Sequence, residues 1–200
     1  MSRPTSALDP KHTALLVMDF QQGIVQRMPG LEPLLERVQQ AIADVRDRGG
    51  TIGYVRVAFT EADWAAVPAA NPVFARFSQD RVMHHEDPST AIHDSLAPQP
   101  GDILVRKTRV GAMSTTDLDR QLRDRGIDTL VLAGLSTSGV VLSTLVEAAD
   151  RDYRLYVLSD GTEDPDADTR DVLLSKVFPR RAQVIESAAL RTLLQGTDRT

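Results

Sequence analysis

The chain has 200 residues, no cysteine and a formal net charge of −5, from 23 basic and 28 acidic side chains. Its 42% hydrophobic and 26% charged residues are typical of a globular protein, and we expect a single domain over residues 1–200. The lack of cysteine excludes disulfide bonds, thiolate metal sites and cysteine nucleophiles.

The charge pattern also limits the partners and the location of the protein. Basic side chains are scattered among acidic ones and form no basic face, so we expect no nucleic-acid partner. The apolar run at residues 14–18 is far too short to span a membrane, and no signal-peptide core precedes a cleavage site. We therefore predict a cytoplasmic protein with no membrane association.

The first half of the chain shows two strands and one long helix. Residues 14–18 are continuously apolar, which is typical of a strand that is covered on both faces of a parallel sheet. Apolar residues then recur at three- and four-residue steps from Leu31 to Val45, which predicts an amphipathic helix. A second strand is expected over Thr51–Val57. Prolines break up residues 59–100, where we expect long loops and short helices.

Strands and helices alternate in the second half. We predict strands at 102–106, 129–133, 154–158 and 182–185, and helices from Asp117, at 140–151, at 166–177 and at the end of the chain. Ser114 and Asp117 have the spacing of a capping box, and the helix at 140–151 is apolar on nearly all sides, which predicts burial. The pattern favours an α/β fold, a doubly wound, six-stranded, mainly parallel sheet flanked by helices.

Candidate functional residues follow three of these strands. In such sheets the ligand crevice lies beyond the carboxyl ends of the strands. Asp19 ends the first strand, Lys107 ends the third, and a loop from Gly134 to Gly139 connects the fourth to a helix. An acid, a base and a helix N-terminus are thus expected to converge, although a turn residue, a solvated lysine and a plain connecting loop would give the same pattern.

Several cofactor and metal sites are excluded by their motifs. No lysine follows Gly139, so the loop is not a phosphate-binding P-loop, and no glycine-rich dinucleotide motif follows the first strand. We therefore expect no cofactor. His84 and His85 are adjacent, so in a helix or strand their rings would diverge, and no histidine follows Glu61 and Asp63 at ligand spacing. We expect no metal.

Three segments together carry a resemblance to a known family. They are residues 15–21 (LLVMDFQ), 107–112 (KTRVGA) and 132–144 (LAGLSTSGVVLST). With these segments in this order, the chain resembles the isochorismatase-like hydrolase superfamily over nearly its whole length. The resemblance implies a six-stranded parallel sheet, a small-molecule substrate and assembly as a homodimer or homotetramer.

The resemblance also implies roles for individual residues. In the cysteine-hydrolase members an Asp, a Lys and a Cys form the catalytic set; Asp19 and Lys107 match, but the nucleophile position is Val140. Valine cannot attack a carbonyl, so the thioester mechanism cannot operate. A cis peptide bond is implied between Leu135 and Ser136. The residues implied to bind the substrate or an oxyanion are Leu135, Ser136, Thr137, Ser138 and Gly139.

Members that act on isochorismate resemble this arrangement and need no nucleophile, because their reaction is the hydrolysis of an enol ether. One acid, here Asp19, is sufficient for it. Isochorismate carries two carboxylates, so further cations are expected in the pocket, with Arg56, Arg109 and Arg76 as candidates. The zinc-binding nicotinamidases carry an Asp-x-His pair after the second strand, which this chain lacks.

Two other functions stay open at this point. A hydroxyl of Ser136, Thr137 or Ser138 can replace the thiol as the nucleophile of an amide hydrolase. Alternatively, the chain is an inert relative that binds a metabolite or a partner through the same pocket.

Overall fold

The computed structural model describes residues 7–194 and contains one six-stranded sheet. All neighbouring strands are parallel and lie in the order β3-β2-β1-β4-β5-β6. The strands are β1 (Thr13–Met18), β2 (Thr51–Val57), β3 (Ile103–Lys107), β4 (Thr129–Leu135), β5 (Arg154–Glu163) and β6 (Gln183–Ile185). The helices are α1 (Gln22–Val25), α2 (Glu32–Asp47), α3 (Glu61–Ala65), α4 (Phe74–Gln79), α5 (Leu118–Asp124), α6 (Leu142–Ala149), α7 (Ala167–Val172) and α8 (Ser187–Leu194).

Helices cover both faces of the sheet, which confirms the predicted doubly wound α/β fold. Successive side chains of a strand point to opposite faces. Leu16 and Met18 of β1 belong to the apolar cluster that includes α5 and α6. Leu15 and Val17 belong to the cluster on the other face, which includes α2 and α8. No helix in the described part of the chain is long and apolar enough to cross a membrane.

The stretch from 59 to 100 consists of loops and short helices, as predicted. It carries a third apolar cluster, in which Phe59, Trp64 and Phe74 pack beyond the end of β2. The rings of Phe59 and Phe74 lie 5.9 Å apart. Trp64 and Phe74 are therefore buried in a local core, separate from the two clusters that cover the sheet.

Two local predictions are wrong. The capping box of Ser114 and Asp117 does not form, because Asp117 makes no capping hydrogen bond and Thr116 Oγ1 accepts the N–H of Leu118 instead. The helix predicted over 140–151 is not buried all round, since Val146 is exposed. It also begins differently, because a π-helical turn (Thr137–Val141) precedes α6.

β5 extends further than its apolar pattern indicates. The sequence predicted an end at residue 158, whereas β5 continues to Glu163 and pairs again with the end of β4. The register shifts on the way, so that Leu132 pairs with Val157 and Gly134 pairs with Thr162. The extension brings polar side chains of β5 against the loop that follows β4.

Candidate active site

Asp19 lies where β1 leaves the sheet. Its φ of 60° is left-handed, a conformation that Asp tolerates better than most residues, and the chain turns sharply there. The turn is held because Asp19 N donates to the carbonyl of Val55 and Asp19 O accepts the N–H of Gln21, both at 2.8 Å. The carboxylate is buried at the carboxyl edge of the sheet.

Lys107 reaches Asp19 across the end of β2. Its Nζ lies 2.8 Å from Oδ2 of Asp19, 2.8 Å from the carbonyl oxygen of Val110 and 3.2 Å from that of Arg109. The contact between acid and base that the spacing left open is therefore present. Because the three N–H donors of the ammonium have three acceptors in the protein, a substrate oxygen would have to displace one of them.

The two oxygens of Asp19 differ. Oδ2 faces Lys107, whereas Oδ1 is buried and has no hydrogen-bond partner among the described residues. Burial raises the pKa of Asp19 above its ordinary value, although the Lys107 ammonium opposes the rise. The arrangement favours a carboxyl group that can hold a proton and deliver it to a ligand at Oδ1.

The loop after β4 turns directly into the π-helical turn. The peptide bond between Leu135 and Ser136 is cis. The Ser136 hydroxyl oxygen accepts the N–H of Gly139 at 3.2 Å, and the Thr137 hydroxyl is buried against that of Thr162 at 2.8 Å. Ser138 is exposed. Among the described residues, neither Asp19 nor Lys107 hydrogen-bonds to any of these three hydroxyls.

The end of β5 and the residue that follows it hold this loop in place. Thr162 Oγ1 donates to the carbonyl of Gly134 at 2.7 Å, and Oδ2 of Asp164 accepts the N–H of Ser138 at 2.7 Å. Asp164 is itself buried. The Ser138 N–H is thus already satisfied by an anion of the protein, so it is not free for the anionic ligand that the sequence assigned to this loop.

Val140 occupies the position where the resemblance implies a nucleophile. It is 2% exposed and belongs to the same apolar cluster as Met18 and Ala112. Asp19 and Lys107 are only 5% and 2% exposed. A substrate therefore reaches these three side chains only when neighbouring groups move.

The three candidate anion-binding arginines lie in different surroundings. Arg56 Nη1 donates to the carbonyls of His85 and Thr90 and to the Thr90 hydroxyl, so it braces the loop after α4. Burial and the nearby Arg106 guanidinium lower the pKa of Arg56. Arg109 Nη1 donates to the carbonyl of Thr108, and its guanidinium lies over the Phe74 ring. Arg76 is exposed and pairs with Asp80.

His84 and His85 lie outside the helices and strands, in a turn where their ring centroids are 4.7 Å apart. Together with Glu86, they form the one group of three metal-ligating side chains among the described residues, with ligand atoms within 4.8 Å of one another. Asp63 is engaged elsewhere, because it completes a capping box with Thr60 and pairs with Arg106 at 2.6 Å.

Sequence reasoning assigned no role to Gln21, although it stands in the segment that carries the resemblance. Its buried amide donates to the carbonyls of Val57 and Thr90, both at 2.9 Å, and accepts the N–H of Val57 at 2.8 Å. It ties the turn after β1 to the end of β2. Thr162 and Asp164 were missed as well, because they lie beyond the predicted end of β5.

Comparison with known proteins places this geometry in a family context. The isochorismatase domain profile matches residues 13–189. The chain is 32% identical over 183 residues to the uncharacterized isochorismatase family protein YecD of Escherichia coli O157:H7, covering 88% of this chain and 93% of that protein. It is 30% identical over 177 residues to the ureidoacrylate amidohydrolase RutB of Methylobacterium radiotolerans, covering 78% and 69%. An isochorismatase family protein from Burkholderia thailandensis has the same fold, with a TM-score of 0.81, 29% identity and coverage of 95% and 98%.

Proposed function

Because the chain belongs to the isochorismatase family of hydrolases, we propose that it hydrolyses a small anionic metabolite without a covalent enzyme intermediate. The observation that carries the proposal is the buried Asp19 carboxyl, whose Oδ1 has no partner in the described chain and whose Oδ2 is held by Lys107. This set supplies a proton and no thiolate, since the sequence contains no cysteine.

An enol ether is a substrate class whose hydrolysis needs a proton donor and no nucleophilic side chain. Asp19 gives its proton to the methylene carbon of an enolpyruvyl group, and the π electrons form the new C–H bond. Water adds to the resulting oxocarbenium ion and returns a proton to the Asp19 carboxylate. The hemiketal then collapses to pyruvate and an alcohol, so isochorismate would give pyruvate and a diol.

The raised pKa of Asp19 supports its role as the acid, because more of the carboxyl is protonated near neutral pH than in an exposed Asp. Lys107 holds the carboxyl in place and stabilises the carboxylate that remains after proton transfer. Arg109, in the loop that follows Lys107, is proposed to bind a substrate carboxylate. Arg56 donates to backbone carbonyls, which fits a structural role better.

The test is pyruvate release from isochorismate. The wild-type protein should release pyruvate, and Asp19→Asn should lower kcat by about 10²- to 10⁴-fold, the usual contribution of a general acid. Asp47→Asn, on the exposed end of α2, is the matched control and should keep full activity. No pyruvate at high enzyme concentration would overturn the enol-ether reaction, and full activity of Asp19→Asn would overturn the role of Asp19.

The amide hydrolase with a hydroxyl nucleophile predicts a different result. A fluorophosphonate should then label Ser136, Thr137 or Ser138, and labelling should require Lys107 or Asp19 as the activating base. The hydrogen bonds of the Ser136 hydroxyl to Gly139 and of the Thr137 hydroxyl to Thr162 argue against this reaction. The homodimer or homotetramer stays a prediction, which light scattering on the purified protein decides.

A further inference from the structure

The loop that follows Lys107 is tied to the middle of α6 by two side chains. Thr144 Oγ1 accepts the N–H of Ala112 at 3.1 Å, and Glu147 Oε2 accepts the N–H of Met113 at 3.0 Å. Thr144 and Glu147 are three residues apart, so they lie next to each other on one face of the helix. The two side chains therefore accept hydrogen bonds from consecutive N–H groups of the same loop.

This loop also carries two of the three acceptors of the Lys107 ammonium, the carbonyls of Arg109 and Val110. The third acceptor is Asp19. The direction in which Lys107 points thus depends on where residues 109 and 110 lie, and they directly precede the segment that α6 holds. A movement of the loop away from α6 would draw the ammonium away from Asp19.

Gly111 shows how closely Glu147 approaches the loop. A methyl group at this position would come within 2.6 Å of the Glu147 carboxylate carbon, so only a glycine leaves room for the carboxylate as it stands. The φ of Gly111 is not in the left-handed region, so alanine would be disfavoured by this contact and not by the backbone. Glu147 is half-buried.

We propose that Glu147 is a positioning residue for the Asp19–Lys107 pair, acting with Thr144 through the loop from 109 to 113. The functional part of this inference rests on the proposed role of Asp19 as the general acid. The positioning itself is a structural claim with a readout that does not require turnover.

The experiment follows the titration of the Asp19 carboxyl carbon by NMR, with the signal assigned by its loss in Asp19→Asn. Glu147→Ala removes the acceptor, and Gly111→Ala displaces the carboxylate while leaving Glu147 in the chain. Each should raise the midpoint of the Asp19 titration by about one pH unit, because an Asp loses stabilisation of its charged form when its cation moves away. Glu147→Gln keeps an oxygen acceptor and should return the midpoint toward the wild-type value.

Val146→Ala, at an exposed neighbour on α6, is the control and should leave the midpoint unchanged. The double variant Gly111→Ala/Glu147→Ala should shift it no further than either single change, since both act on one contact. In the pyruvate assay, kcat should fall about tenfold in both single variants with KM nearly unchanged, because a small displacement of the acid lowers the rate of the chemical step.

An unchanged Asp19 midpoint in Glu147→Ala or Gly111→Ala, with the protein folded, would overturn the proposal and leave Glu147 a purely structural role. If Glu147→Ala does not fold, Gly111→Ala and Glu147→Gln still decide the question. If the wild-type protein releases no pyruvate, the proposed function fails, but the titration still tests the positioning.

Discussion

The Nζ of Lys107 lies 2.8 Å from Oδ2 of Asp19, and both side chains are buried. A buried ion pair of this kind is costly to break, because removing one member leaves the other charge unpaired in a poorly solvated place. The pair therefore links the stability of the fold to the protonation state of the candidate acid.

Lys107→Met should destabilise the protein by about 3–5 kcal/mol at pH 8, as is usual when one member of a buried pair is removed. Without the cation, the pKa of Asp19 rises further above its unfolded value, so the folded state holds a proton that the unfolded state releases. The free energy of unfolding of the variant therefore falls as the pH rises from the unfolded-state pKa of Asp19 to its folded-state pKa. The loss of stability relative to the wild type should be smaller near pH 4 than at pH 8. Urea unfolding at the two pH values measures the difference.

Lys176→Met is the matched control, because Lys176 is exposed and its replacement should change the free energy of unfolding little at either pH. An equal loss of stability at pH 4 and pH 8 in Lys107→Met would show that Asp19 does not carry the unpaired charge.

The hydroxyl of Thr162 has one proton, which it donates to the carbonyl of Gly134, so Thr137 must be the donor in the contact between the two hydroxyls. Thr162→Val removes the donor to the Gly134 carbonyl and the acceptor of the Thr137 hydroxyl. It should lower the free energy of unfolding by about 1–3 kcal/mol, the usual range for buried groups left unsatisfied. The double variant Thr137→Val/Thr162→Val should lose less than the sum of the single changes. Additive losses in urea unfolding would show that the two hydroxyls do not interact.

The sequence was sufficient to predict the strands and the ends at which the candidate residues stand. β1 is recognisable because a continuous apolar run is typical of a strand covered on both faces, and the carboxyl ends of parallel strands meet at one edge. This is why Asp19 and Lys107 could be expected near each other. That they touch depends on side-chain directions, which no local pattern contains.

The supports of the site were missed for a related physical reason. Apolar periodicity reports burial against a core, whereas Thr162 at the end of β5 and Asp164 just after it hydrogen-bond to the end of β4 and to the turn that follows it. A polar run after an apolar strand is interpreted as the end of the strand, because the sequence does not show that the polar side chains bind a segment distant along the chain. Arg56 shows the converse, since it was a candidate for binding a substrate carboxylate, whereas its guanidinium binds backbone carbonyls of residues 85 and 90.

Asp164→Ala tests whether the Asp164 carboxylate stabilises the loop after β4. It leaves the Ser138 N–H without its acceptor and should lower the free energy of unfolding by about 1–3 kcal/mol. Asp164→Asn keeps an oxygen at the same place and should cost less, while Asp47→Ala, at an exposed position, should cost little. Hydrogen exchange at the Ser138 amide should be faster in Asp164→Ala, and an unchanged rate would contradict the assigned contact.

Val140→Cys tests whether the missing thiol is the one element that separates this site from that of a cysteine hydrolase. The side chain is 2% exposed and a cysteine is no larger, so the fold should tolerate it with a loss of about 1 kcal/mol. We expect Val140→Cys to gain measurable hydrolysis of at least one amide in a panel of small amides, with Asp19 as the base that activates the thiol, and the wild-type protein to show none.

Val141→Cys is the matched control for Val140→Cys, because it places a thiol one residue further along the same turn, in a side chain that is also buried. Only the thiol at 140 should be productive, and Asp19→Asn should abolish the gained activity when it is combined with Val140→Cys. Product release is followed by mass spectrometry, with titration of the thiol to confirm that it is reduced. No gain in Val140→Cys with a reduced thiol, or an equal gain in Val141→Cys, would show that position 140 is not aligned with Asp19 and Lys107 for attack on an amide.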